Sequence, residues 1–426
     1  MVPEYFQLVQ AAVYHADGLW GDATFDLYVK DAPPGWGFMV AAGIEPAIDA
    51  LLHTRIDPST LSWLKQQPQF SQVGPVFFEE LADLCFDADV LAVPEGTVIF
   101  PGEPILRLTA PLPWAGLYEA GLIQLISQAT GVATRAARLA IAARGRPVLD
   151  FGSRRTAGAD ASWHAARSAW IGGIAGTTNT QTAASLGIPV VGVASDTMTA
   201  AYGDAAAAHA ALRQHAAAAC ELNLPDGPVA DALDALAGAG DDLRSVRVDA
   251  DDLVSRATTL RRLLDQRGLR RARIMGSGGL DEIMVEQLLR AGAPVDEIGV
   301  GGFLSAGKPP PTSYRIAELV RGLDREAITG TWCSPWPGRK QILRMADHDL
   351  LCDEVEAPAL AVDGATPLLV PFVAGGQRIR DPEALVDIRA RRAEQVSALP
   401  AAVRALDTPA AWPVVASPHL QRLRRG

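Results

Sequence analysis

Asp150-Phe151-Gly152-Ser153-Arg154-Arg155-Thr156, followed by Gly176-Thr177-Thr178-Asn179, collects the residue types that recognise a flat aromatic acid. Phe151 can stack on a ring, and the planar fork of Arg154 or Arg155 can pair with a carboxylate. Gly152 permits close backbone approach, and the hydroxyls of Thr177 and Thr178 add neutral hydrogen bonds. A second segment, Arg247-Val248-Asp249-Ala250-Asp251-Asp252, closes an apolar run with one cation and three carboxylates. Carboxylates there can grip ribose hydroxyls, hold magnesium, or stabilise a developing sugar cation. Gly276-Ser277-Gly278-Gly279 and Gly299-Val300-Gly301-Gly302 free successive backbone N–H groups to cradle phosphate. Neither has the GxGxxG spacing and downstream acid of a dinucleotide-binding turn. Each segment also has a plain structural explanation: a solvated Arg pair over a core Phe, a capped helix start, two tight turns. Their occurrence at successive strand ends weighs more than any one alone.

The elements that must position these groups follow from periodicity. Strand-like runs at Val148–Phe151, Ile188–Val193, Val246–Asp249, Arg273–Gly276 and Glu297–Val300 alternate with helical stretches at Asp204–Ala219, Leu253–Gln266 and Asp281–Ala291. Asp251 or Asp252, and Asp281, stand where helix caps are expected. Alternating βα units imply parallel strands with helices outside, and functional residues on the loops at the strands' carboxyl ends. The first hundred residues are α+β in pattern: strand-like at Ala23–Lys30, helical at Gly43–Leu52, short strands through Val90–Leu106. After Lys308-Pro309-Pro310-Pro311 the pattern is irregular, with strand-like runs at Gln341–Met345 and Pro367–Val373 and a basic helical tail near Ala390–Leu406. The Ala-rich stretch Ala205–Ala219 is a helix by propensity and suggests no function.

Bulk properties narrow the class. The 426 residues are 49% hydrophobic and 20% charged, enough for a large core in two or three domains. A net charge of -11 argues against a nucleic-acid or anionic-membrane surface. Cys85, Cys220, Cys333 and Cys352 lack CxxC or CxxH spacing, which disfavours a disulfide framework or zinc site and fits a reducing compartment. Glu4, His15 and Asp17 break the first twenty residues as a signal peptide. Leu117–Ala143 carries Glu119, Arg135 and Arg138, so it is expected as a buried helix rather than a membrane span. A cytoplasmic protein is expected.

In order along the chain, further blocks join these. They include Gly37-Phe38-Met39-Val40-Ala41-Ala42-Gly43, Val93-Pro94-Glu95-Gly96-Thr97, Ile171-Gly172-Gly173, Gly187-Ile188-Pro189-Val190, Ser277-Gly278-Gly279-Leu280-Asp281-Glu282 and Pro337-Gly338-Arg339-Lys340-Gln341. With them the chain resembles nicotinate phosphoribosyltransferase over nearly its whole length. The resemblance implies an α/β fold: a distorted β/α barrel with a second, smaller α+β domain built from both chain ends. The corresponding division is 1–114 as an N-terminal α+β domain, 115–330 as the barrel, and 331–426 as a segment packing on the N-terminal domain. It implies a homodimer with shared active sites, joining nicotinate to phosphoribosyl pyrophosphate with magnesium, driven by ATP hydrolysis, in pyridine nucleotide (NAD) biosynthesis. Phe151 would stack on the pyridine, Arg154 would face its carboxylate with Arg155 nearby, and Thr178 stands where amide-using relatives carry an aspartate that would repel an acid. Asp249 and Arg247 would serve the sugar cation, and Ser277, Gly278, Gly279, Gly301 and Gly302 the phosphate. From the partner subunit, Phe6 would close the ring sandwich and Lys30 would reach the neighbouring site.

The departures cluster on the phosphate side. Asp196 occupies the position of the family's phosphate-accepting histidine. Asp249-Ala250-Asp251-Asp252 and Ser277-Gly278-Gly279 alter two acidic blocks, so one ribose-side carboxylate is lost and Asp251 is gained. Glu221-Leu222-Asn223-Leu224-Pro225 replaces an Asp-Thr-Tyr-Asp-Thr segment. Asp31 replaces a basic residue beside Lys30. Transfer without a phosphohistidine-coupled ATP step is the leading expectation. A paralogue acting on another aromatic acid or a nucleotide, and a catalytically silent pyridine-nucleotide-binding paralogue, are the alternatives.

Overall fold

The computed structural model describes residues 3–216, 221–224, 228–229, 243–361 and 365–425. The chain forms two compact units, Val132–Lys308 and a unit combining Met1–Gly131 with Pro309–Gly426.

The Val132–Lys308 unit is built on a six-stranded sheet ordered Gly176–Thr177, Val148–Asp150, Glu297–Val300, Arg273–Ser277, Ser245–Asp249, Glu221–Asn223. Every neighbouring pair is parallel. Val148, Leu149, Val246, Val248, Ile274, Met275 and Ile298 are buried, as expected of strands covered on both faces. The helix Leu253–Gln266 buries Leu253, Ala257, Leu260 and Leu264, the spacing of one helical face. The helix Glu282–Arg290 starts where Asp281 accepts a hydrogen bond from the Met284 N–H at 2.7 Å.

Two sequence expectations change here. Ile188–Val193 is not a strand: only Val190 bridges, to Thr177, because the adjoining strand is two residues long and Pro189 has no N–H to donate. The sheet instead gains the edge strand Glu221–Asn223. The Ala-rich helix runs Ala205–Ala216; residues 217–219, Cys220 and Pro225 lie outside the described residues.

The unit from both chain ends carries a seven-stranded antiparallel sheet. At its centre Asp22–Val29 lies between Thr312–Arg321 and Pro104–Pro111. Residues 309–330 therefore belong here and not with the parallel sheet, so the parallel unit is narrower than the expected 115–330. Thr312–Arg321 is a ten-residue strand whose Arg315 and Glu318 interrupt the apolar alternation that would have revealed it. The unit built from the chain ends is also the larger of the two, not the smaller. Beneath it Lys340 is buried against Asp26 at 2.7 Å, with Ser334 donating to the same carboxylate at 2.8 Å. The C-terminal helix runs Leu385–Ala398, ending before Leu399-Pro400 and well short of Leu406, and Pro418–Arg425 forms a last helix. Among the described residues no helix is long and apolar enough to cross a membrane.

Candidate active site

Parallel register brings the carboxyl ends of the six strands to one sheet edge. Asn223 pairs with Arg247, Ser277 with Asp249, Val300 with Asp150, and Asp150 with Thr177. Register partners project from the same face, so side chains far apart in sequence meet there.

Arg247 is the centre of one cluster. Its Nη1 donates to Asn223 Oδ1 at 3.2 Å, and its Nη2 donates to Ser277 Oγ at 3.0 Å and to Asp249 Oδ2. Its guanidinium lies over the Phe151 ring, 5.9 Å from the centroid. The Nε is buried and has no hydrogen-bond partner among the described residues. Asp249 is half exposed, so its ion pair with Arg247 contributes less than about 1 kcal/mol. A weak pair of this kind leaves both groups available to a ligand. Gly278 and Gly279 both have left-handed backbone, at φ 121° and 67°, and a Cβ at Gly278 would lie 3.1 Å from Asp249 Oδ1. Glycine there lets the loop close down on the carboxylate.

Around this cluster is a cavity of about 520 Å³, lined among others by Asp196, His209, Asn223, Arg247 and Asp249. The Ala-rich helix thus contributes a buried His209, which its composition does not advertise. Asp196 opens a helix of about two turns, Asp196–Tyr202, and accepts from Asn223 Nδ2 at 3.0 Å.

The aromatic-acid loops are held by Asp150, a residue with no obvious role in sequence. Its buried carboxylate accepts from Thr177 Oγ1 at 2.7 Å and from the Gly152 N–H at 2.8 Å. Burial pushes its pKa up, and these two donors pull it back. Thr177 is therefore spent on structure, and only Thr178 retains a hydroxyl for a ligand: it lines a recess of about 390 Å³ with Ser153, Arg154, Ser162 and Asn179. Gly152 is required by close approach, since a Cβ would fall 2.1 Å from Ser305 Oγ. Ser305 in turn donates to the Gly152 carbonyl at 3.0 Å.

The structure thus groups the expected residues unevenly. Arg154 and Thr178 share one recess, and Arg247, Asp249 and Asp196 share another. Arg155 is exposed, and its Cγ would lie 3.7 Å from a Cβ at Gly302. Asp251 is exposed and lines a third recess with Gly278, Leu280 and Met284, apart from Asp249. Gly301 and Gly302 begin the short helix Gly302–Ala306. Phe6 and Lys30 are exposed on the other unit.

Residues 1–127 match the family model described as the nicotinate phosphoribosyltransferase (NAPRTase) N-terminal domain, and residues 353–424 match its C-terminal domain. A nicotinate phosphoribosyltransferase of Mycobacterium tuberculosis is 34% identical over 433 residues, covering 98% of this chain and 91% of that protein. The chain belongs to the nicotinate phosphoribosyltransferase family. The Bacillus subtilis nicotinate phosphoribosyltransferase is 30% identical, covering 81% of this chain and 73% of its own length. In fold, the chain is similar to the crystal structure of human nicotinic acid phosphoribosyltransferase, with a TM-score of 0.83 at 24% identity over 100% of this chain and 99% of that one. As a member of the nicotinate phosphoribosyltransferase family this protein is a pentosyltransferase enzyme.

Proposed function

We propose that this enzyme transfers the phosphoribosyl group of phosphoribosyl pyrophosphate to the ring nitrogen of nicotinate, releasing nicotinate mononucleotide and pyrophosphate. The observation that carries this is Arg247, which touches the Phe151 ring on one side and Asp249 and Ser277 on the other. One guanidinium thus links the ring-binding residue to the phosphoribose end. The nucleophile is the substrate nitrogen, so the protein's task is alignment and charge stabilisation. Arg154 pairs with the carboxylate, Thr178 offers a neutral hydroxyl beside it, and Phe151 supports the ring. Asp249 stabilises the cationic sugar and its hydroxyls, and the buried, unpartnered Arg247 Nε is a donor for the anionic donor substrate. Ser277, Gly278, Gly279, Gly301 and Gly302 cradle phosphate, and Asp251 lies beside them.

Among the described residues no three His, Cys, Asp or Glu side chains form a metal cage. The exposed carboxylate of Asp249 would hold a magnesium ion bound together with the pyrophosphate. When bound it would neutralise charge on the departing pyrophosphate. The parallel sheet is the body of a distorted barrel, and the functional unit is a cytoplasmic homodimer in which the partner's copies of the Phe6 and Lys30 segments complete the site. Transfer is not coupled to ATP through a phosphohistidine, because Asp196 stands at that position.

Full-length likeness to proteins named for this activity favours transfer to nicotinate over a different acid or a nucleotide, and over a silent binding protein. The test is pyrophosphate release from phosphoribosyl pyrophosphate with a panel of pyridine and benzene carboxylates, with and without ATP. Release specific to nicotinate is expected. No release with nicotinate, or release only with another acid, overturns the proposal.

A further inference from the structure

We infer that Asn223 is a positioning residue through which the Asp196 carboxylate sets the placement of the Arg247 guanidinium; this rests on the phosphoribosyl-transfer function proposed for the same site. Asn223 Nδ2 donates to Asp196 Oδ1 at 3.0 Å and to the Ala194 carbonyl at 3.1 Å, while Oδ1 accepts from Arg247 Nη1 at 3.2 Å. One amide therefore spends its donor side on the 194–196 segment and its acceptor side on Arg247. The residue type follows from the neighbours. Asp196 can only accept and Arg247 can only donate, so a neutral amide satisfies both, whereas a carboxylate at this position would face Asp196 and a cation would face Arg247.

The backbone supports the same link. Asn223 is the direct register partner of Arg247 on the adjacent parallel strand, which puts the two side chains on one face. The Ala194 N–H donates to the Glu221 carbonyl at 2.8 Å, tying the 194–196 segment to that edge strand. With Nη1 held by Asn223, Nη2 is directed to Asp249 and Ser277 and Nε is left for a ligand. A charge change at position 196 is thereby felt at Arg247 without direct contact.

The test uses the full-length enzyme with steady-state kinetics and calorimetric binding of phosphoribosyl pyrophosphate. Asn223→Ala removes the acceptor that holds Arg247 Nη1, together with the donor to Asp196 and Ala194, so the KM for the phosphoribosyl donor should rise about tenfold while that for nicotinate changes by less than about twofold. Asn223→Asp should be worse, because two carboxylates then meet. Combining it with Asp196→Asn exchanges the amide and the carboxylate and should recover part of the donor affinity lost in Asn223→Asp, the Ala194 carbonyl still lacking its donor. A double variant no better than Asn223→Asp, or unchanged donor binding in Asn223→Ala, overturns the inference. If Asn223→Ala fails to fold, Asp196→Ala alone decides: the Asn223 amide loses one anchor, and donor KM should rise severalfold or the inference fails. A readout independent of the acid substrate is the rate at which phenylglyoxal modifies Arg247, followed by peptide mass. It should rise in Asn223→Ala and fall back in the exchanged pair. Donor binding with no transfer to any acid would overturn the proposed function and leave this inference standing; equal Arg247 modification in all variants would overturn the inference alone.

Discussion

Arg247 rests its guanidinium over the Phe151 ring, 5.9 Å from the centroid, although Phe151 follows the strand Val148–Asp150 and two other strands separate that strand from Arg247's in the sheet. Phe151 cannot retreat from it: a Cβ at Gly299 would lie 3.2 Å from Phe151 Cε2, so the ring packs on bare glycine backbone. A cation at this separation from a ring is worth about 0.5–1 kcal/mol when partly exposed. The contact makes the ring-binding and sugar-binding groups one assembly, so disturbance of either should be felt by both.

The first prediction concerns acid against amide. Arg154 and Thr178 share a recess, a cation and a neutral hydroxyl with no carboxylate among its lining residues. Losing the partner of such a charge-assisted pair costs about 2–5 kcal/mol when buried, and the exposed Arg154 places the loss at the low end. Nicotinamide should therefore bind at least about tenfold more weakly than nicotinate, and Arg154→Ala should erase the difference. Titration calorimetry with both ligands decides it; equal affinities in the unmodified enzyme would sink the assignment.

The second concerns Asp150. Its carboxylate serves Thr177 and Gly152 at once, so Asp150→Asn leaves one oxygen for two donors. We expect a loss of about 1–2 kcal/mol in stability from the donor left unpaired. We also expect a higher KM for nicotinate, with little change for the phosphoribosyl donor. Denaturant unfolding and steady-state kinetics on the one variant test both halves.

The third is a pH dependence of stability. Glu103 is fully buried beside Asp349, and burial together with that charge pushes its pKa well above the ordinary 4.5. Arg344 is engaged by Asp349 at 3.0 and 2.6 Å and only partly offsets the effect. A carboxyl whose pKa is raised by folding binds its proton more tightly in the folded chain. Its contribution is therefore most favourable below 4.5 and is lost as pH rises through the raised folded value. Glu103→Gln cannot ionise and should flatten the fall in thermal midpoint above pH 4.5. Parallel melting curves for the two proteins from acid to mildly basic pH would contradict this.

The fourth concerns shared sites. Phe6 and Lys30 are exposed and belong to the unit that does not hold the parallel sheet. A mixed dimer of Lys30→Ala and Asp249→Ala subunits should retain one intact composite site and about half the activity per subunit pair expected from two. If the hybrid is as inactive as each homodimeric variant, the sites are not shared.

The fifth concerns ATP. Asp196 is already engaged by Asn223 at 3.0 Å, and a carboxylate there repels a triphosphate unless a cation screens it. Incubation with γ-labelled ATP should leave the protein unlabelled, and product should form without stoichiometric hydrolysis. Label recovered on Asp196 would instead establish an acyl phosphate.

The candidate residues of this site were named from sequence because their signals are local. Phe151, Arg154, Asp249 and the glycines at 278 and 279 stand directly after short apolar runs, and a strand end followed by glycine, arginine or aspartate is marked by its own neighbours. The short apolar runs Val148-Leu149 and Ile274-Met275 likewise marked buried parallel strands, since both faces of such strands are covered.

What only the tertiary structure decided is which distant segments lie side by side. Nothing in Thr312–Arg321 announces that it pairs with Asp22–Val29, because its charged residues break the alternation and the pairing spans most of the chain. Nothing in Asn223 announces that it faces Arg247 and Asp196, or in His209 that it lines the same cavity. Strand register and helix docking are set by the packing of the whole unit rather than by neighbours in sequence, so chemistry carried by single residues was readable and chemistry carried by their juxtaposition was not.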